Sequence, residues 1–153
     1  MLQRIQTVYL LLVTILMLSL LFLPLAVLQA GDNFYSFDVM GLSSFLGEKE
    51  LMYPTWGLLV LDVITMVIAL VTIFLFKKRM LQIRLTVFNT ILLVGFYGLF
   101  AYMIYSFKAD FGVLSYTLKF AAAFPAVCLV LNYLAIRNIG ADEALVRSLN
   151  RLR

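Results

Sequence analysis

The chain reads as an all-α membrane protein: a bundle of four transmembrane helices, with N and C termini cytoplasmic and a short amphipathic C-terminal helix. Three observations predict this. Of the 153 residues, 64% are hydrophobic and only 13% charged, with a mean hydropathy of +1.03, whereas a soluble domain averages about 45–50% apolar and about 25% charged residues. Four apolar runs reach the ~20 residues that cross a bilayer as helix. The basic residues gather at the ends of those runs rather than on one continuous face.

The runs lie at about 8–28, 55–76, 83–105 and 114–136 in a single membrane domain. Backbone groups in hydrocarbon must be satisfied within the segment, so long unbroken runs form helices. The period-2 pattern of a membrane barrel is absent. The first run begins after Arg4, but it is longer than the ~7–15-residue apolar core of a secretory signal. Leu28-Gln29-Ala30 is also a poor cleavage site, so the run is expected to persist as a first span.

Orientation follows from the lysines and arginines. Arg4, the cluster Lys77, Lys78, Arg79 and Arg84, and the C-terminal group Arg137, Arg147, Arg151 and Arg153 would share one side. Only Lys49, Lys108 and Lys119 fall on the other. The excess of basic residues marks the cytoplasmic face. Tyr53, Trp56 and Tyr105 then sit at the opposite rim, where amphipathic rings are favoured.

The outer loop, residues 29–54, is too apolar for a disordered linker. Phe34, Tyr35, Phe37 and Phe45 are its aromatic residues of interest. They either fold back onto the helix ends or form a docking surface for a partner. In the tail, residues 142–153, Leu145, Leu149 and Leu152 share one helical face, while Arg147 and Arg151 share another. Gly140 is expected to end the fourth helix before it. Such a helix rests on anionic lipid or packs its leucines on protein.

Polar residues inside the spans are few. Asp62 lies about seven residues into the second span, roughly 10 Å deep at 1.5 Å per residue. An acid at that depth is costly and marks a candidate functional site. Lys119 is expected at a similar depth, so an Asp62–Lys119 ion pair is one reading. The alternative lets Lys119 snorkel outward and leaves Asp62 to hydroxyls or water. Asn89 and Asn132 form a second polar layer, in which amide hydrogen bonds between helices are expected. Gly95 and Gly98 would allow close helix approach, and Pro125 would kink the fourth span. Lys77, Lys78, Arg79, Arg84, Arg147, Arg151 and Arg153 are topology determinants, or bind headgroups or a partner at the membrane surface.

Three stretches together carry a family likeness. They are Gln3-Arg4-Ile5-Gln6-Thr7-Val8-Tyr9-Leu10-Leu11-Leu12, then Leu81-Gln82-Ile83-Arg84-Leu85 with Asn89, and Asp142-Glu143-Ala144-Leu145-Val146-Arg147-Ser148 with Arg151-Leu152-Arg153. In this the chain resembles the four-two-nine-three domain-of-unknown-function family of small four-span bacterial inner-membrane proteins. The resemblance implies the same four-span architecture and a multi-pass location in the bacterial inner membrane. It implies no activity.

Enzyme chemistry is not expected. The chain has no histidine, and its one cysteine, Cys128, lies within an apolar run with no base in sequence reach. No phosphate-cradling glycine loop or zinc spacing occurs, so neither a cofactor nor a metal is expected. The leading expectation is a non-enzymatic accessory or assembly subunit of a larger membrane complex. Its partners would be the lipid bilayer, other integral membrane proteins and anionic headgroups, with no nucleic acid. The alternative is a small oligomeric ion or solute transporter or channel using Asp62. A lipid or quinone enzyme is a distant third.

Overall fold

The computed structural model is mostly helical and describes residues 2–44, 51–112 and 115–152. Its helices are α1 (Leu2–Leu20), α2 (Trp56–Phe74), α3 (Arg79–Phe111) and α4 (Phe124–Arg151). Between them lie five short strands: β1 (Ala26–Ala30), β2 (Asn33–Phe37), β3 (Gly41–Ser44), β4 (Leu51–Pro54) and β5 (Ser115–Leu118). Three helices, α2, α3 and α4, are long and apolar enough to cross a membrane, while the apolar stretch of α1, Ile5–Leu20, is shorter.

Each helix packs against two neighbours: α1 on α2 and α4, and α3 on α2 and α4. The four therefore close into an antiparallel ring, with α1 across from α3 and α2 across from α4. Each turns one stripe inward, spaced three and four residues apart as the helical period demands. The stripes are Gln6, Leu10, Val13, Met17 and Leu20 on α1, and Leu58, Asp62, Thr65, Ala69 and Thr72 on α2. On α3 and α4 the same spacing gives Gln82, Thr86, Asn89, Leu93, Phe96 and Phe100, and Pro125, Cys128, Asn132, Ala135 and Ile139. The outward faces carry Val8, Ile15, Val67, Phe88, Ile91 and Val130, all exposed.

Cross-helix contacts fix the register. Gln82 Nε2 donates to the Thr72 carbonyl at 2.9 Å, levelling α3 with α2. Tyr97 OH donates to the Ala122 carbonyl at 2.7 Å and accepts from the Ala126 N–H at 2.8 Å, levelling α3 with α4. Cys128 Sγ lies 3.9 Å from the Val13 carbonyl, levelling α4 with α1. Counting residues along each antiparallel helix from these contacts stacks the stripes into layers. From the end bearing the α2–α3 turn, the first is Thr72, Gln82 and Ile139. Next come Gln6, Ala69, Thr86 and Ala135, and then Leu10, Thr65, Asn89 and Asn132. Above these lie Val13, Asp62, Leu93 and Cys128, then Met17, Leu58, Phe96 and Pro125. The last layer is Leu20, Thr55, Phe100 and Ala121.

The strands form one antiparallel sheet of order β4-β3-β2-β1-β5 across the far end of the bundle. The β1–β2 hairpin turns at Gly31-Asp32 with Ala30 opposite Asn33. Gly31 has φ +63° and Asp32 does not have positive φ, the pattern of a two-residue type II′ turn. β1 points Ala26 and Leu28 inward, and β2 points Phe37 inward. The Phe37 ring stacks on Phe100 at 5.3 Å between centroids and meets Phe107 edge-on at 5.4 Å, so the sheet is joined to the outer turns of α3. Thr55 Oγ1 donates to the Val39 carbonyl at 2.8 Å, tying the start of α2 to the β2–β3 turn. Gly112, with φ +62°, ends α3 in the left-handed conformation and lets the chain return as β5.

Several boundaries depart from the expectations. Residues 26–28 of the expected first span belong to β1, and the start of the expected fourth span holds β5 and a 3-10 turn, Phe120–Ala123. Pro125 does not kink α4 but sits in its first turn, where its missing N–H costs nothing. Gly140 does not end α4, which runs on to Arg151. A mid-helix glycine costs only about 1 kcal/mol, and Ala141, Ala144 and the Glu143–Arg147 pair at 3.2 Å support the helix. Close α2–α3 approach is made at Gly57, where an added Cβ would meet Leu99 at 3.1 Å, rather than at Gly95 or Gly98. Phe37 is fully buried, so it is core and not a docking residue. Phe34 is 43% exposed and Tyr35 partly buried, while Phe45 lies outside the described residues.

This placement separates the two phenylalanines. Phe37→Ala is expected to destabilise the protein in micelles by about 3–5 kcal/mol, and Phe34→Ala to change stability by no more than about 0.5 kcal/mol. Denaturant unfolding of the two variants checks this.

Candidate functional site

The interior is divided along its length. The two layers nearest the sheet are filled by Leu20, Met17, Leu58, Phe96 and Phe100. The layers nearest the α2–α3 turn contain Gln6, Gln82, Thr72, Thr86, Thr65, Asn89 and Asn132, all buried. Asp62 stands at the boundary, 1% exposed, across the ring from Cys128. A column of polar side chains thus runs from the turn end to about the middle of the bundle and stops at a plug of large apolar groups.

The threonines are satisfied locally. Thr65, Thr72 and Thr86 donate to the carbonyls of Leu61, Ile68 and Gln82 at 2.6–2.8 Å, one helical turn back. Their hydroxyl oxygens keep a lone pair for another donor. The remaining groups are different. Both carboxyl oxygens of Asp62, both amide atoms of Asn89 and of Asn132, and Nε2 of Gln6 are buried without a hydrogen-bond partner. Leaving a buried polar group unpaired costs about 1–3 kcal/mol, more when it is charged. These unpaired groups share one column, on three of the four helices and on α1 through Gln6.

The expected pairs do not form. Lys119 lies beyond the last layer, exposed, with its N–H on the Leu25 carbonyl at 2.9 Å. It is at least two layers from Asp62, and no ion pair joins them. Asn89 and Asn132 do fall in one layer on neighbouring helices, yet neither amide bonds to the other. Sequence reasoning overlooked Gln6 and Gln82. Their signal was available: each stands one helical repeat from an inward apolar or polar position of its own helix.

At the turn end, Lys77 and Lys78 lie in the α2–α3 connection, and Arg79 and Arg84 on the first turns of α3. They line a groove of about 840 Å³ with Met80, Glu143 and Val146. Arg147 and Arg151 are on the exposed far end of α4, and Arg153 lies outside the described residues. Among the described residues, no group of three or more His, Cys, Asp or Glu side chains is placed to hold a metal ion.

The three stretches that carry the family likeness map to this same end, contributing Gln6, Gln82 and Asn89 to the column and Arg84, Glu143 and Val146 to the groove wall. Residues 2–152 match the family model described as Domain of unknown function (DUF4293). The chain belongs to the DUF4293 family. A comparison with curated proteins finds no match. In this DUF4293 protein the internal column holds the unpaired polar side chains of the bundle among the described residues.

Removing an unpaired group should relieve its cost. Asp62→Leu and Asn132→Leu, both close in shape to the residues they replace, are each expected to raise stability by about 1–3 kcal/mol. Thermal unfolding in detergent tests this, and a fall in stability would reveal a partner that the polar group needs.

Proposed function

We propose that this protein crosses the membrane four times, with both termini and the α2–α3 turn in the cytoplasm, and binds a small monovalent cation at Asp62. The cation is a proton or an alkali ion; it enters from the cytoplasmic side and passes to the other side when the outer plug moves. The single observation that carries the reading is the Asp62 carboxyl group, buried with neither oxygen partnered, at the head of a polar column. Ionisable groups inside membrane bundles face the interior and mark ion or proton paths.

Four spans are supported by the packing of α1 as well as by its composition. Its inward stripe meets α2 and α4 through five layers, and its outward residues Val8, Leu11, Ile15 and Leu18 are exposed and apolar. The exposed rings of Trp56, Tyr102, Tyr105 and Tyr116 cluster towards the sheet end, as an outer aromatic belt would. The basic residues collect at the opposite end.

The chemistry follows from the layers. Gln82 and Thr72, then Gln6 and Thr86, then Asn89, Asn132 and Thr65 offer successive amide and hydroxyl groups to a cation or to water on its way to Asp62. Past Asp62, the ring of Met17, Leu58, Phe96 and Pro125 offers none. The site is thus closed on the outer side in this conformation, and passage to that side requires the apolar plug to move. The accessory-subunit reading lacks a comparable observation, since Phe37, the aromatic best placed to organise a docking loop, is consumed internally.

Purified protein in liposomes tests the proposal with entrapped dyes for pH and for sodium or potassium. Dissipation of an imposed gradient is expected with the native chain, with near-complete loss in Asp62→Asn. Native vesicles no leakier than protein-free ones would refute it. Orientation is checked separately in a Cys128→Ala background. Lys78→Cys and Asn150→Cys should react with an impermeant maleimide from the cytoplasmic face only, and Asp110→Cys from the outer face only.

A further inference from the structure

The groove at the turn end is independent of the Asp62 column. One wall is the α2–α3 connection and the first turns of α3, and the other is the part of α4 that runs past Gly140. Its volume, about 840 Å³, is that of a small-molecule cleft. Lys77, Lys78, Arg79 and Arg84 all line it, and the acid in its lining is Glu143. Glu143 is already engaged by Arg147 at 3.2 Å, which leaves the four cations without an acidic partner in the groove.

We propose that this groove binds the headgroup of an anionic phospholipid of the adjoining leaflet. Four like charges held around one cleft repel one another, and an anion between them reverses the sign of that interaction. Phosphate oxygens suit the guanidinium forks of Arg79 and Arg84 as well as the lysine ammonium groups. A lipid, rather than a soluble phosphate, is indicated by what borders the cations. Phe76, Met80 and Leu81 are apolar and exposed in the same lining, continuous with the outward faces of α2 and α3. A headgroup seated among the basic side chains would lay its acyl chains along those faces. Basic pockets between helices at the cytoplasmic boundary take anionic headgroups for this reason. The extension of α4 completes the cleft, which gives the uninterrupted helix through Gly140 a purpose.

The test uses full-length protein in a neutral detergent, titrated with phosphatidylglycerol, phosphatidylcholine or inorganic phosphate while thermal unfolding is followed. Phosphatidylglycerol should raise the midpoint by several degrees at micromolar levels, and the other two should not. The triple variant Lys77→Gln, Lys78→Gln, Arg84→Gln should need about 100-fold more phosphatidylglycerol. Glu143→Gln, which removes the acid from the wall, should need about three- to five-fold less, and it carries the test if the triple variant does not fold. Asp62→Asn should leave the titration unchanged, so failure at one site is distinguishable from failure at the other. Equal stabilisation by phosphatidylcholine or by phosphate alone, or a Glu143→Gln response no stronger than the native one, would overturn the proposal.

Discussion

Everything in this molecule is arranged around a single asymmetry of solvation: a helix in hydrocarbon has polar side chains only where another helix covers them. In the proposed four-span arrangement, lipid would satisfy the outward faces of α1 to α4 without contributing a driving force between them. The inward stripes must therefore provide the specificity of packing, and here they do so in two ways. Near the sheet, interlocking rings and branched chains fill space, with Phe96 and Phe100 facing Leu58, Met17 and Leu20. Near the turn, amides and hydroxyls take over, and the Gln82–Thr72 bond sets the register of the α2–α3 hairpin. The two halves meet at Asp62.

The sheet belongs to the same logic. A loop as apolar as residues 29–44 cannot remain loose at a membrane surface, and an antiparallel sheet satisfies its backbone while turning one face to the helix ends. Ala26, Leu28, Phe37 and Leu42 make that face. Phe37 extends the α3 core beyond the last helical layer through Phe100 and Phe107. Because β5 returns after α3 to pair with β1, the sheet also links the two halves of the chain across the bundle. This explains why α3 is 33 residues long: beyond its part in the bundle, its turns at the sheet end support the sheet.

The sequence disclosed the helices readily because composition and length alone decide them. The boundaries were less legible, since an apolar run does not reveal where helix gives way to strand. Val27 to Phe37 contains two short strands around Gly31-Asp32, a hairpin signal that the surrounding apolar residues mask. Ser115 to Leu118 falls within an apolar run, and only its partner β1, some 90 residues away, makes it a strand. At Gly140 and Pro125 the local signal was genuine but weak. Glycine's cost was outweighed by its helical neighbours, and proline's position relative to the helix start changed its meaning. Asp62, Asn89 and Asn132 were visible as isolated polar residues. That they share a column with Gln6 follows only from the register between helices, which no single helix encodes.

That register also bears on why the polar groups stay unpaired. Asn89 and Asn132 occupy one layer, and joining their amides would require α3 or α4 to shift from its present register. The Tyr97 hydroxyl opposes such a shift, because it bridges the Ala122 carbonyl and the Ala126 N–H at 2.7 and 2.8 Å and so clamps α3 to the first turn of α4. Phe96, next to it, is wedged into the plug. The clamp fixes the register of the two helices, and with it the placement of Asn89 and Asn132 in the layers below. Packing at the sheet end of the bundle thereby also sets the register of the polar layers at the other end.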